Sequence, residues 1–137
     1  MTSDEMDRLV DEHFKAEASG DVSGVLATFA DDIEHDTLPS PPDAEPRHGT
    51  AAVGDFYAML FSEIVVDSYR SVRRWYGTDH LVDDGVMSAK AVGHPFGFDG
   101  RGRRVTFRVL HVFDFVDGLI ARESGWPDVG TIGEQLA

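Results

Sequence analysis

The hydrophobic pattern of this chain changes its period once, and that change limits the fold more than any other feature. Up to about residue 64, apolar residues recur every three or four positions, which places them on one face of a helix. Beyond it they alternate with polar residues, as in half-buried strands, over 66–76, 80–92, 105–115 and 119–126. Helices followed by antiparallel strands indicate an α+β fold. We therefore expect three N-terminal helices packed into the hollow of a curved antiparallel sheet, enclosing an apolar pocket.

Start and stop signals position the three helices. Thr2 and Glu5 have the spacing of a capping box for the first helix, and Gly20 is its expected end. Asp21 is the expected N-cap of the second helix, and Thr50 that of the third. A short strand and an irregular loop lie between the last two helices. The loop, LPSPPDAEPRHG, holds four of the six prolines, which interrupt helix and strand alike.

Length, charge and cysteine content exclude several classes of protein. The 137 residues predict one domain, 1–137. A net charge of −13 disfavours nucleic acid and anionic membranes as partners. The chain has no cysteine, and its six histidines lack metal-site spacing, so we expect neither metal nor cofactor. No signal peptide or membrane-length apolar run is visible, which predicts a cytoplasmic protein.

Two ionisable residues interrupt the apolar positions of the last predicted hairpin, FRVLHVFDFVDGLIARESG. With a three-residue VDG loop, cross-strand pairing puts His111 directly opposite Glu123. With a two-residue loop of Asp117 and Gly118, His111 faces Ser124 instead. We favour the three-residue loop, because glycine at Gly118 fits the left-handed position that ends such a loop. The resulting pair of a histidine and a carboxylate suits acid–base chemistry.

Several segments resemble those of a known family. SGDVSGVLATFADDIEHD, GRGRRVTFRVLHVFDFVDGLIARE and WPDVGTIGEQL are similar to parts of the SnoaL-like polyketide cyclases, a branch of the nuclear-transport-factor-two-like superfamily. The resemblance covers nearly the whole chain. It implies a cone-shaped α+β fold, an apolar small-molecule substrate and a homodimer formed through the outer face of the sheet, where Leu110 and Val112 lie.

The resemblance also implies positions for site residues. SnoaL-like cyclases use an inward acidic residue, and their last strand often reads EHWD. Here Glu123 replaces the histidine of that motif, Gly125 replaces its aspartate, and His111 replaces a common aspartate of the preceding strand.

A second resemblance links this chain to the Δ5-3-ketosteroid isomerases. PRHGTAAVGDFY is similar to the start of their third helix, and three site positions of those enzymes can be assigned to residues of this chain. The isomerase tyrosine falls on His13, its base on Thr37 beside Asp36, and its acid on His111. None of the three residue types is retained.

These observations predict a cofactor-free acid–base enzyme acting on an apolar, cyclic carbonyl compound. His111, oriented by Glu123, would move the proton, while His13 or Asp36 would polarise the carbonyl. Only one of His35 and Asp36 can point inward, since neighbours on a strand alternate. The other expected pocket residues are Phe14, His35, Thr37, Tyr57, Val109, Phe113 and Trp126.

Two alternatives remain open on the sequence alone. One is an epoxide hydrolase of the limonene type, which uses two aspartates and an arginine around a water molecule. The other is a protein that binds an apolar small molecule without chemistry.

Overall fold

A six-stranded sheet and four helices make up the structure, a computed structural model that describes all residues, 1–137. The elements are α1 (Ser3–Ala18), α2 (Val22–Leu26), β1 (Phe29–Thr37), β2 (Arg47–His48), α3 (Gly49–Glu63), β3 (Ile64–Tyr76), β4 (His80–Ala91), β5 (Arg103–Val116), β6 (Leu119–Pro127) and α4 (Val129–Gln135), with one 3₁₀ turn at Pro95–Gly97. None of the helices has the length and apolar character needed to span a bilayer.

The sheet order is β2-β1-β6-β5-β4-β3, and the α+β class is confirmed. Every neighbouring pair is antiparallel except β1 and β6, which run parallel, so the expectation of a wholly antiparallel sheet was wrong at this pair. The chain reaches β6 only after passing through α3 and three long strands. No hairpin therefore sets the relative direction of β1 and β6.

The predicted caps of the first two helices are present. The Glu5 amide donates to the Thr2 hydroxyl and the Thr2 amide donates to the Glu5 carboxylate, each at 3.1 Å. Asp21 accepts from the Gly24 amide at 3.0 Å. These bonds satisfy amides that would otherwise lack partners in the first turn of each helix.

Two helix predictions needed correction. Thr50 is not the N-cap of α3, because β2 pairs with β1 through His48 and the helix starts directly after it, at Gly49. The C-terminal helix α4 was not predicted, since its seven residues include two glycines that weaken the helical signal. Asp128 starts it by accepting from the Thr131 amide at 3.2 Å.

Two apolar clusters hold the helices on the sheet. The larger one joins α1, α2 and α3 to β1, β4, β5 and β6, and the smaller one seats α4 on β3, β4 and β5. Both clusters include residues from β4 and β5. The space between the two clusters therefore lies over these strands, deep in the hollow of the sheet. Leu60 and Tyr69 pack against both clusters and line their junction.

The β5–β6 hairpin differs from the expected pairing. Asp117 (φ 51°) and Gly118 (φ 79°) form a two-residue turn with positive φ at both positions. A bulge at Ala121 then adds one residue to β6, so His111 lies opposite Gly125 and Glu123 lies opposite Phe113. The predicted His111–Glu123 pairing was wrong. The bulge nevertheless restores the alternation, and both side chains lie on the buried face, two residues apart in register.

The outer face of the sheet carries exposed apolar side chains. Leu110 pairs with Trp126 across β5 and β6, and these side chains are 38% and 43% exposed. Trp126 was expected in the cavity wall, and that was wrong, because Gly125 occupies the inward position beside it.

Candidate functional site

Two connected cavities open into the hollow of the cone. The inner cavity, about 60 Å³, is bounded by side chains from α1, α3 and the inner face of the sheet, and five of them are ionisable: Glu17, His35, Tyr57, His111 and Glu123. The mouth cavity, about 340 Å³, shares Thr37, Phe56, Leu60 and Phe96 with it. The inner space holds about two water molecules. A ligand larger than a few atoms would therefore have to extend from the inner cavity into the mouth cavity.

Glu123 lies at the centre of a buried polar cluster. Tyr57 donates its hydroxyl to Oε1 at 2.5 Å, and His35 Nε2 lies 2.9 Å from the same oxygen. His13 Nε2 lies 2.8 Å from Oε2 and 3.4 Å from the Glu17 carboxylate. The two His13 contacts are ion pairs whose angles are not those of well-aligned hydrogen bonds. A buried carboxylate needs such partners, because its desolvation is otherwise prohibitive.

The cluster fixes two charges. Burial alone would lower the pKa of His13, but the carboxylates of Glu123 and Glu17 raise it to about 10. Burial alone would raise the pKa of Glu123, but the adjacent charge of His13 and the contact with His35 hold it well below its usual value. Burial and the adjacent Glu123 raise the pKa of Tyr57 well above 10. At neutral pH the arrangement is an imidazolium–carboxylate pair with a neutral phenol.

His111 has a different environment. Burial lowers its pKa below 6.5, although the Glu123 and Glu17 charges oppose that shift. Its Nδ1 lies 3.4 Å from the Tyr69 hydroxyl, whose proton is donated to Asp83. The Tyr69 oxygen is therefore the acceptor for an Nδ1–H, and the lone pair of the neutral ring lies on Nε2.

The cavity wall beside Nε2 is open. Gly125 lies across from His111 in the sheet, and a Cβ placed on it would stand 3.8 Å from Nε2. Phe113 stacks on the other side of the imidazole, with ring centroids 5.8 Å apart. The ring is thus held by Tyr69 and Phe113 while Nε2 faces the space left by the glycine.

Asp83 anchors Tyr69 from behind. It is fully buried and accepts from Tyr69, from the Ser71 hydroxyl at 2.5 Å and from Arg74 Nε at 2.8 Å. Arg74 also contacts the carboxylates of Asp7 at 2.9 Å and Asp11 at 2.7 Å. Burial would lower the pKa of Arg74, but these three carboxylates raise it. Asp83 is therefore held in place as a hydrogen-bond acceptor by three fixed donors.

The structure brings most of the predicted pocket residues together. His111 and Glu123 share the inner cavity with His35, Thr37, Tyr57 and Val109. His35 and Thr37 take the inward positions of β1. That alternation leaves Asp36 on the other face, where it accepts from Ser124 at 2.5 Å and lies 3.6 Å from Arg122. The expectation that Asp36 acts on a substrate was wrong.

Three predicted site residues lie behind the cavity wall. His13 is completely buried beneath Glu123, so it cannot polarise a substrate carbonyl as expected. Phe113 is completely buried against the rings of His13 and His111. Phe14 stacks on Tyr69 with centroids 4.0 Å apart and lines an open groove between α1 and β3.

Four residues of the site were not predicted. Glu17 follows the i, i+4 spacing from His13, and Asp83 occupies an inward position on β4, so both carry a sequence signal. Tyr69 and Arg47 carry no such sequence signal, because Tyr69 lies beside a bulge in β3 and Arg47 lies in the two-residue strand β2. The structure has no group of three or more His, Asp or Glu side chains arranged to hold a metal ion.

Comparison with known proteins agrees with this architecture. The SnoaL-like domain model matches residues 10–123. TsrD from Streptomyces laurentii superposes with a TM-score of 0.82 at 20% identity, covering 100% of this chain and 98% of that one. A SnoaL-like polyketide cyclase from Agrobacterium tumefaciens superposes with a TM-score of 0.80 at 17% identity, covering both chains completely. On the match over residues 10–123, the chain belongs to the SnoaL-like domain family.

Proposed function

We propose that this protein is a cofactor-independent acid–base enzyme that acts on an apolar carbonyl compound, as a cyclase or an isomerase. The observation that carries the proposal is the position of His111, which lines the inner cavity with its Nε2 beside Gly125. Burial lowers the pKa of this imidazole, which favours its neutral form. An imidazole with a free lone pair in a largely apolar cavity is suited to removing a proton from carbon near neutral pH.

The proposed reaction begins when His111 Nε2 takes a proton from the carbon α to a carbonyl, leaving an enolate. In a cyclase, the enolate carbon attacks a second carbonyl of the same molecule, and the imidazolium returns the proton to the new alkoxide. In an isomerase, the proton returns to a different carbon. The carboxylates of Glu123 and Glu17 favour the charged imidazole electrostatically, which stabilises the intermediate state.

Glu123 is a poorer candidate for the base. Both of its oxygens are occupied by His13, His35 and Tyr57, and its lowered pKa makes it a weak proton acceptor. We assign it a positioning and electrostatic role, in which its fixed negative charge lies near His111. This differs from the expected direct hydrogen bond between the two residues.

Exchange of α-protons tests the proposal without knowledge of the natural substrate. An enolisable ketone such as 1-tetralone is incubated with the protein in D₂O, and deuterium uptake is followed by NMR. We expect catalysed exchange that falls about 100-fold or more in His111→Ala, the usual contribution of a general base. His80→Ala, which changes an exposed histidine, is the matched control. Undiminished exchange in His111→Ala would overturn the assignment.

Epoxide hydrolysis of the limonene type is the second candidate. The observation in its favour is Arg74, which lies between Asp11 and Asp83. The three carboxylates around Arg74 already occupy its guanidinium, and the group lines the open groove rather than the inner cavity. Solvent ¹⁸O appearing in a product would favour hydrolysis over cyclisation.

A further inference from the structure

Arg47 stands out among the basic residues at the mouth of the cavities. Three arginines are half-buried: Arg47, Arg74 and Arg122. Arg74 and Arg122 pair with aspartate or glutamate carboxylates. Arg47 forms no ion pair within 4 Å, although the chain contains 25 acidic residues; Asp36 acts on it only at longer range and is itself bonded to Ser124 and close to Arg122. A partly desolvated guanidinium without a counter-ion is unfavourable unless a ligand supplies one.

The guanidinium of Arg47 is held in place by two contacts that leave donors free. Its central carbon lies 3.9 Å from the centre of the Phe56 ring, and Nη1 lies 3.3 Å from His35 Nδ1. Neither contact neutralises the charge, and burial lowers the pKa of the group. The Phe56 ring and the His35 imidazole position the planar guanidinium, so that Nε and Nη2 remain available for a bidentate acceptor.

The position of Arg47 relates it to the proposed base. It lines the mouth cavity with Thr37, and Thr37 also lines the inner cavity where His111 lies. A ligand that extends through both cavities therefore meets the imidazole at its inner end and the guanidinium at its outer end. Glu63, the acidic residue of the mouth, already accepts from the His94 amide.

We infer that the substrate carries an anionic oxygen group, such as a carboxylate, at the end that stays in the mouth, and that Arg47 binds it. This inference rests on the proposed function for the role of the inner cavity. It makes the substrate a keto acid or similar anion with an apolar body. The guanidinium would hold the acid group in place while the carbon next to the carbonyl reaches His111.

A matched pair of probes tests the anion site. 1-Naphthylacetate and its uncharged amide have nearly the same shape, and their dissociation constants are measured by calorimetry or NMR titration at millimolar concentrations. We expect the carboxylate to bind about 10-fold more tightly than the amide, and Arg47→Gln to abolish that preference. Arg47→Lys should retain part of it, and Arg8→Gln, which removes an exposed charge on α1, should retain all of it.

The outcomes separate this inference from the proposed function. His111→Gln should keep the carboxylate preference even though it loses proton exchange. An equal affinity for both probes, no binding of either, or an unchanged preference in Arg47→Gln would overturn the anion site. A carboxylate preference in a protein without exchange activity would support the site and contradict the proposed function.

Discussion

Replacing Glu123 by glutamine tests the buried ion pair that organises the site. The change keeps the shape of the side chain and removes its charge, leaving the completely buried His13 without its main counter-ion. The rise in the pKa of His13 from 6.5 to about 10 corresponds to roughly 5 kcal/mol in favour of the imidazolium, at about 1.36 kcal/mol per tenfold change in equilibrium constant. Glu17 supplies part of this stabilisation of the imidazolium, and it remains in the variant. We therefore expect the free energy of unfolding to fall by about 3–5 kcal/mol.

The same pair predicts how stability depends on pH. The His13 pKa is higher in the folded state, so its contribution is complete below pH 6.5 and is lost as the pH rises towards 10. The Glu123 pKa is lower in the folded state, so its contribution is present above 4.5 and is lost as the pH falls through the folded value. Stability from the pair is thus greatest between pH 4.5 and 6.5.

Urea unfolding of both proteins at several pH values measures these effects. Between pH 7 and 9 the wild type should lose up to about 1.4 kcal/mol per pH unit, and Glu123→Gln should lose much less. Glu34→Gln is the control, since its ion pair with Arg122 is only partly buried and worth about 1 kcal/mol or less. A Glu123→Gln protein within 1 kcal/mol of wild type, with the same alkaline slope, would refute the reasoning.

Three further changes address the parts of the site separately. Tyr69→Phe removes the acceptor for His111 Nδ1–H, so we expect ketone exchange to slow about 10-fold with a changed pH profile; an unchanged profile would contradict the assigned tautomer. Gly125→Val fills the space beside Nε2 and should abolish exchange without unfolding the protein, while Gly125→Ala should be milder; full activity in the valine variant would place the substrate elsewhere. We also propose that the exposed Leu110 and Trp126 form a homodimer interface; Leu110→Glu should then shift the mass measured by light scattering from dimer to monomer, and a monomeric wild type would contradict it.

The sequence predicted the elements well where the signal is local. The caps at Thr2 and Asp21 depend on side chains within three residues, and the alternation of β5 and β6 placed both His111 and Glu123 inward. The predicted pairing between them failed for two reasons: the turn has two residues rather than three, and a bulge at Ala121, which no glycine or proline marks, shifts the register once more.

The long-range contacts of the site were harder to predict. His13, His35 and Tyr57 come from three separate elements, and their convergence on Glu123 follows from how the helices pack into the sheet rather than from any spacing. Asp83 was not among the predicted site residues, although the sequence carries a signal for it. It is an acidic residue at an inward position of an alternating strand, and that pattern alone indicates a buried, hydrogen-bonded carboxylate.

The division of roles between the two buried histidines is tested most directly by ¹⁵N NMR of their imidazole rings. At pH 7.5 we expect His13 to be doubly protonated, and His111 to be neutral with its proton on Nδ1 and an unprotonated Nε2. The His111→Gln and His13→Gln spectra assign the signals. A protonated His111 at this pH, or a neutral ring with its proton on Nε2, would contradict the assignment of His111 as the base.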